Sequence, residues 1–189
     1  MRLGLAALAL ATSLVLTGCD QASGPQRYAA DFLVIHGETG TVNRGPIDPV
    51  YEPLLDRLGI EFEVGFQLNT PVLEALPQYE IRTDFPEGGD FHTFSGPLLS
   101  DVLALADIRG DTLRITAIDG YQRDVDLERI RQFNVVLAVE MDGRALPLGG
   151  FGPAMLVWPR QTDEALFGMP DDDWVWGVLA MEALETPQN

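Results

Sequence analysis

The sequence predicts a single α+β domain in which strands outnumber short helices. Three features predict it. Apolar stretches that alternate or run continuously are more frequent than stretches of helical period, and the helical stripes are short. After Asp31 no linker, low-complexity stretch or internal repeat divides the chain. With 46% hydrophobic and 22% charged residues over 189 positions, the composition suffices to close one core.

Residues 1–18 read as a targeting segment. Met1-Arg2 is a minimal basic start, and Leu3 to Leu16 is an uncharged apolar run too short for a comfortable membrane span. It ends in Leu16-Thr17-Gly18-Cys19, which resembles the lipobox of bacterial lipoproteins, and Cys19 is the only cysteine of the chain. The expectation is a mature chain that starts at a lipidated Cys19; an ordinary secretory signal with a chance cysteine is the alternative. Residues 19–30 then form the lipidated end and a polar tether, residues 31–185 the domain, and residues 186–189 a tail. Such a protein faces the periplasm from the bacterial envelope. Asp20 resembles the inner-membrane retention signal of enteric bacteria.

Within the domain each element has a local cause. Phe32-Leu33-Val34-Ile35 predicts a strand closed by His36-Gly37, and Asn43, Gly45, Pro46 and Pro49 mark the loop after it. Ile60, Phe62, Val64 and Phe66 alternate with Glu61, Glu63 and Gly65, the period of a half-buried strand. Thr70-Pro71 predicts a short helix to Leu76, with threonine as cap and proline first in the helix. Tyr79–Thr83 reads as a strand. Ser95-Gly96-Pro97 predicts the start of the strongest helix, where Leu98, Val102 and Leu105 share a face with Leu99, Leu103 and Ala106. Thr112–Ile118 reads as a strand that puts Leu113, Ile115 and Ala117 on one side. Asp126 predicts a cap for a helix carrying Leu127, Ile130 and Phe133. Val135–Met141 is nearly continuous apolar sequence, expected to be a central strand, and Asp142-Gly143 predicts a tight hairpin into Arg144-Ala145-Leu146. Ala154–Trp158 and Trp174–Leu184 are the last expected strands.

Charge excludes whole classes of partner. Asp and Glu total 29 against 12 basic residues, all arginine, for a net charge of -17. Nucleic acid and anionic headgroups both require clustered cations, so neither is an expected partner. Two histidines and one cysteine leave little material for a transition-metal site.

Taken in order, a set of segments carries a resemblance. They are Asn69-Thr70-Pro71-Val72-Leu73-Glu74-Ala75-Leu76-Pro77, Phe94-Ser95-Gly96-Pro97-Leu98-Leu99-Ser100-Asp101-Val102-Leu103 and Ala117-Ile118-Asp119-Gly120-Tyr121. Leu137-Ala138, Met141-Asp142-Gly143, Gly152-Pro153-Ala154-Met155-Leu156-Val157-Trp158-Pro159 and Trp174-Val175-Trp176 follow. Together they resemble the molybdopterin-binding oxidoreductase domain of the sulfite oxidase superfamily, most closely its short periplasmic bacterial members. The resemblance runs from about Asp31 to about Glu185. It implies that fold, and in catalytic members a cysteine thiolate on molybdenum with Arg and Lys around the pterin phosphate. This chain departs at each of those points. The domain has no cysteine; Met155 stands where the family has Arg, and Val175 where it has Lys. Gly149-Gly150-Phe151 replaces the basic residues that short relatives often carry before Gly-Pro. A buried dianion needs paired cations, so the expectation is the fold without the cofactor. A molybdopterin-dependent oxidoreductase with a non-cysteine metal ligand is the alternative.

The pterin cleft of catalytic relatives is expected to persist as a smaller, mostly apolar pocket lined by His92, Phe94, Asp119, Tyr121, Arg144 and Trp158. One arginine and one aspartate among aromatics suit a small neutral or zwitterionic ligand. Aromatic packing in the core is the plainer role for these rings. His36 and His92 have no partner at metal-ligand spacing. Asp171-Asp172-Asp173 lacks the alternation of a calcium loop and reads as a solvated turn. Ser95 and Ser100 lie outside any nucleophile elbow. Three classes of function remain: a non-catalytic ligand-binding or adaptor module with a membrane-protein partner, an oxidoreductase, and a structural lipoprotein.

Overall fold

The computed structural model describes residues 33–185; the segments expected to be signal peptide, lipidated Cys19, tether and tail lie outside them. The main sheet has the order β2-β1-β11-β5-β6, built from β1 (Val34–Gly37), β2 (Phe66–Gln67), β5 (Thr112–Ala117), β6 (Gln122–Asp126) and β11 (Val178–Leu184). β1 and β11 run parallel, with Val34 opposite Ala180, and every other pair in the sheet is antiparallel. A second sheet orders β3 (Tyr79–Thr83), β4 (His92–Gly96), β8 (Glu140–Met141) and β9 (Arg144–Ala145) side by side. β7 (Val136–Ala138) and β10 (Met155–Val157) form a two-stranded ribbon. The helices are short: α1 (Pro53–Arg57), α2 (Thr70–Ala75), α3 (Leu99–Leu105) and α4 (Leu127–Gln132). Strands outnumbering short helices is the α+β class expected.

β11 is covered on both faces, which is why it is apolar at every position but Glu182. Met181, with Ile35 on β1, packs into the main core of Leu99, Val102, Leu113, Ile115, Ile130, Leu137 and Trp158. Ala180, with Val34, turns the other way onto Leu55 and Ile60, where α1 covers the sheet. Close approach between the sheets is set at Gly96. A Cβ there would collide with the Leu137 carbonyl, so only glycine lets β4 lie against β7.

Several expectations change. Residues 60–65 form no regular strand, and pairing with β1 begins only at Phe66. The alternation slips at Gly65, which is buried against the Ile35 carbonyl and bridges to Arg44, while Val64 is half exposed. Asn69, not Thr70, caps α2, its Oδ1 accepting the Val72 N–H at 3.1 Å. Ser95 and Gly96 end β4 rather than start a helix, and α3 begins at Leu99. The apolar run of Val135–Met141 is divided between two sheets, β7 pairing with β10 and β8 with β4 and β9. β6 carries too many charges to announce itself; it pairs with β5 by register. Residues 174–177 precede β11 rather than belong to it. Other expectations hold. Asp126 caps α4, accepting from the Glu128 N–H at 2.6 Å. The Asp142-Gly143 hairpin forms with φ of +51° and +71°, the paired positive angles of a type I′ turn.

Candidate functional site

Asp119 and Tyr121 come together in a cavity of about 230 Å³. Ala117 ends β5 at its floor, and the turn through Gly120 (φ +90°) returns the chain into β6. The Asp119 carboxylate accepts the Tyr121 N–H at 2.9 Å, holding the turn closed. The opposite wall is Asp171 and Asp172 from a 3-10 turn, then Trp174, Val175 and Trp176. The Tyr121 hydroxyl donates to the Asp172 carbonyl at 3.1 Å. Its proton is held above the ordinary phenol range by partial burial first and by the negative charge of Asp172 next.

Behind this wall lies a buried carboxylate that the acidic run had suggested would be solvated. Asp173 is 2% exposed. Arg123 Nε donates to its Oδ1 at 2.7 Å, Arg129 Nη1 donates to its Oδ2, and the Trp158 indole N–H donates to its carbonyl at 2.8 Å. The Arg129 guanidinium also sits over the Trp158 ring, 4.5 Å from its centroid. Asp173 therefore pairs with two arginines and fixes the 3-10 turn against the core.

The six residues expected to line one pocket occupy several places. Asp119 and Tyr121 share the cavity just described. Phe94 and Trp158 are fully buried and line nothing open. Phe94 packs at 5.7 Å on Phe85 and at 6.2 Å on Trp174. His92 neighbours Phe85, and its Nδ1 lies 2.7 Å from Asp142 Oδ2 in the hairpin. The Thr93 N–H first, and then His92, hold the Asp142 carboxyl below its usual range. Arg144 is exposed on β9 beside that hairpin. Sequence reasoning missed the second wall, Asp171, Asp172 and Trp174–Trp176. Its acidic part is a plain charge run, and nothing local says that it folds back onto Tyr121.

Residues 89–163 match the family model described as the oxidoreductase molybdopterin binding domain. The sulfane dehydrogenase SoxCD of Paracoccus pantotrophus is similar in structure, with a TM-score of 0.54 over 85% of this chain at 19% identity. The chain shares its fold with that protein, and part of it resembles an oxidoreductase molybdopterin binding domain. The family match is narrower than the span of the sequence resemblance, whereas the structural similarity extends over most of the domain. The chain spans 39% of the length of the SoxCD chain it matches. No curated protein matches it.

On this fold the positions implied to hold cofactor cations can be tested for fit. Met155 and Val175 are 1% and 2% exposed and lie side by side, the Leu156 N–H donating to the Val175 carbonyl at 2.8 Å. Val175 borders the small cavity, whose described lining holds three aspartates and no arginine. Five of the ten arginines among the described residues are paired elsewhere. Arg123 and Arg129 grip Asp173, Arg114 pairs with Asp124, Arg160 with Asp84 and Arg44 with Glu52. Among residues 33–185 there is no cysteine, and no three His, Cys, Asp or Glu side chains converge as a metal site. This donor set does not fit a molybdenum–pterin phosphate.

Proposed function

We propose that the protein is a non-catalytic binding module built on the molybdopterin-domain fold and lipid-anchored at Cys19 to the periplasmic side of a bacterial membrane. One observation carries this reading: where the resemblance implies cations, Met155 and Val175 are core residues, and the adjoining cavity is lined by Asp119, Asp171 and Asp172. A phosphate dianion placed there loses its hydration and meets like charge instead of paired cations. Each missing charge-assisted contact removes about 1.5–3 kcal/mol, so two of them lower affinity by roughly a hundredfold to more than ten-thousandfold. The Tyr121 hydroxyl, the carboxylates and the Trp176 ring suit a ligand that is small and not anionic.

The test is to export the full chain in a host that makes the cofactor, purify it from membranes, and measure molybdenum and oxidised pterin. Background levels of both are expected. Stoichiometric metal with pterin would overturn the reading and establish an oxidoreductase with a non-cysteine ligand.

A further inference from the structure

Exposed apolar side chains gather at one end of the main sheet, the end at which β1 begins. β1 and β11 run parallel with Val34 opposite Ala180, and Val178 at the start of β11 faces Ala117 at the close of β5. Trp176 and the turn through Tyr121 therefore stand just beyond the first residues of β1, and both side chains are exposed. The loop before α1 reaches the same end. Gln67 on β2 lies opposite Val34, and its Nε2 donates to the Leu33 carbonyl at 2.9 Å. Arg44 Nη1 donates to Gln67 Oε1 and to Glu52 Oε1, both at 2.8 Å. Glu52 thus holds its neighbours Val50 and Tyr51 close to Leu33, where they are 81% and 85% exposed. α1 then leads back to the turn, where Leu58 Cδ2 lies 3.4 Å from the place a Cβ on Gly120 would take. It packs Leu55 on the sheet and leaves Leu54 exposed.

Tyrosine and tryptophan, each an apolar ring with a polar tip, suit the boundary between water and lipid. Fourteen residues lead from Cys19 to Leu33, a reach of at most about 50 Å. An anchor at Cys19 therefore tethers the domain by the very end that carries these side chains. Asp119, Asp171 and Asp172 beside Tyr121, and the net charge of -17, disfavour anionic headgroups there. We propose that this end of the domain lies on the bilayer, with Val50, Tyr51, Leu54, Tyr121 and Trp176 in the headgroup region of zwitterionic lipid. α4 then points away from the membrane, because Thr112 pairs with Asp126 just before α4 and with Leu184 at the far end of β11. The inference rests on the lipid anchor of the proposed function and names the surface that the anchored domain turns to the membrane.

Trp158 and Trp174 are buried, so Trp176 is the native probe of this surface. The experiment places the full acylated chain in phosphatidylcholine vesicles, plain or brominated on the acyl chains near the carbonyl, and reads tryptophan emission. Brominated lipid should quench the share of wild-type emission that Trp176 supplies, and Trp176→Phe should remove the quenching. Val50→Asp combined with Tyr51→Asp should reduce it by about half or more, with circular dichroism unchanged. A tryptophan moved to α4, by Glu128→Trp in the Trp176→Phe chain, should stay unquenched. Replacing part of the phosphatidylcholine with equally brominated phosphatidylglycerol should weaken the wild-type effect. Unquenched wild type, equal quenching of the α4 tryptophan, quenching unmoved by the two aspartates, or quenching strengthened by phosphatidylglycerol overturns the proposal. Mass spectrometry of the same sample reports the acyl chains. Acylated protein with unquenched Trp176 refutes this inference alone, and unacylated protein that added vesicles still quench refutes the anchor alone.

Discussion

Acidification should destabilise the domain through His36, and substitution should remove that effect. His36 ends the buried part of β1, 6% exposed, with its ring stacked 5.0 Å from the ring of Phe62. Burial lowers its pKa from the ordinary 6.5 to about 4. Because the folded-state value is the lower one, the unfolded chain takes up the proton first. Stability is complete above pH 6.5 and is lost as pH falls from there to about 4. At about 1.36 kcal/mol per pKa unit, the loss approaches about 3 kcal/mol below pH 4 and is about 2.5 kcal/mol at pH 4.5. Urea unfolding at pH 7.0 and pH 4.5 measures it for wild type and for His36→Leu. Comparing the two pH differences removes the acid sensitivity that the carboxylates give both proteins. Wild type should lose about 2–3 kcal/mol more than the variant over this interval. Equal losses would refute the assignment of a buried, neutral imidazole.

Asp173→Ala leaves Arg123 and Arg129 without their carboxylate and should cost about 3 kcal/mol in urea unfolding; an unchanged midpoint would remove the clamp from the account of the fold. Gly143→Val meets no neighbouring atom within 4 Å, so its cost comes from a φ of +71° alone. That cost is about 1–2 kcal/mol, and Gly143→Asn, which tolerates this angle, should lose much less; equal thermal shifts for the two would contradict it. Cys19→Ser should move the protein out of the membrane fraction or block processing, and unaltered retention with a normal mature mass would rule out the lipid anchor.

The clamp and the small cavity share one physical pattern: acidic side chains are used in two ways. Those matched by arginine, such as Asp173, Asp124, Asp84 and Glu52, are parts of the fold. Others, such as Asp119 and Asp172, line the small cavity beside Tyr121.

What the sequence determined by itself is whatever the chain settles within a few residues. Asp126 caps its own helix, Asp142-Gly143 adopts the angles its residue types tolerate, and Leu113, Ile115 and Ala117 all lie buried along β5. The ordered segments also carried the family resemblance, because each is a local turn or strand end. Tertiary structure decided the rest. The parallel pairing of β1 with β11 joins the two ends of the described chain, and its register is set by core packing on both faces. Gly65 breaks an alternating pattern because the Ile35 backbone approaches it there. Arg123 and Arg129 reach Asp173 across 50 and 44 residues, so an acidic run that looks solvated becomes a buried clamp. Val50, Tyr51, Tyr121 and Trp176 share one end of the main sheet only through strand register and the packing of α1. Backbone preference acts over one turn of chain, whereas the facing of charges depends on which distant segments the apolar faces bring together.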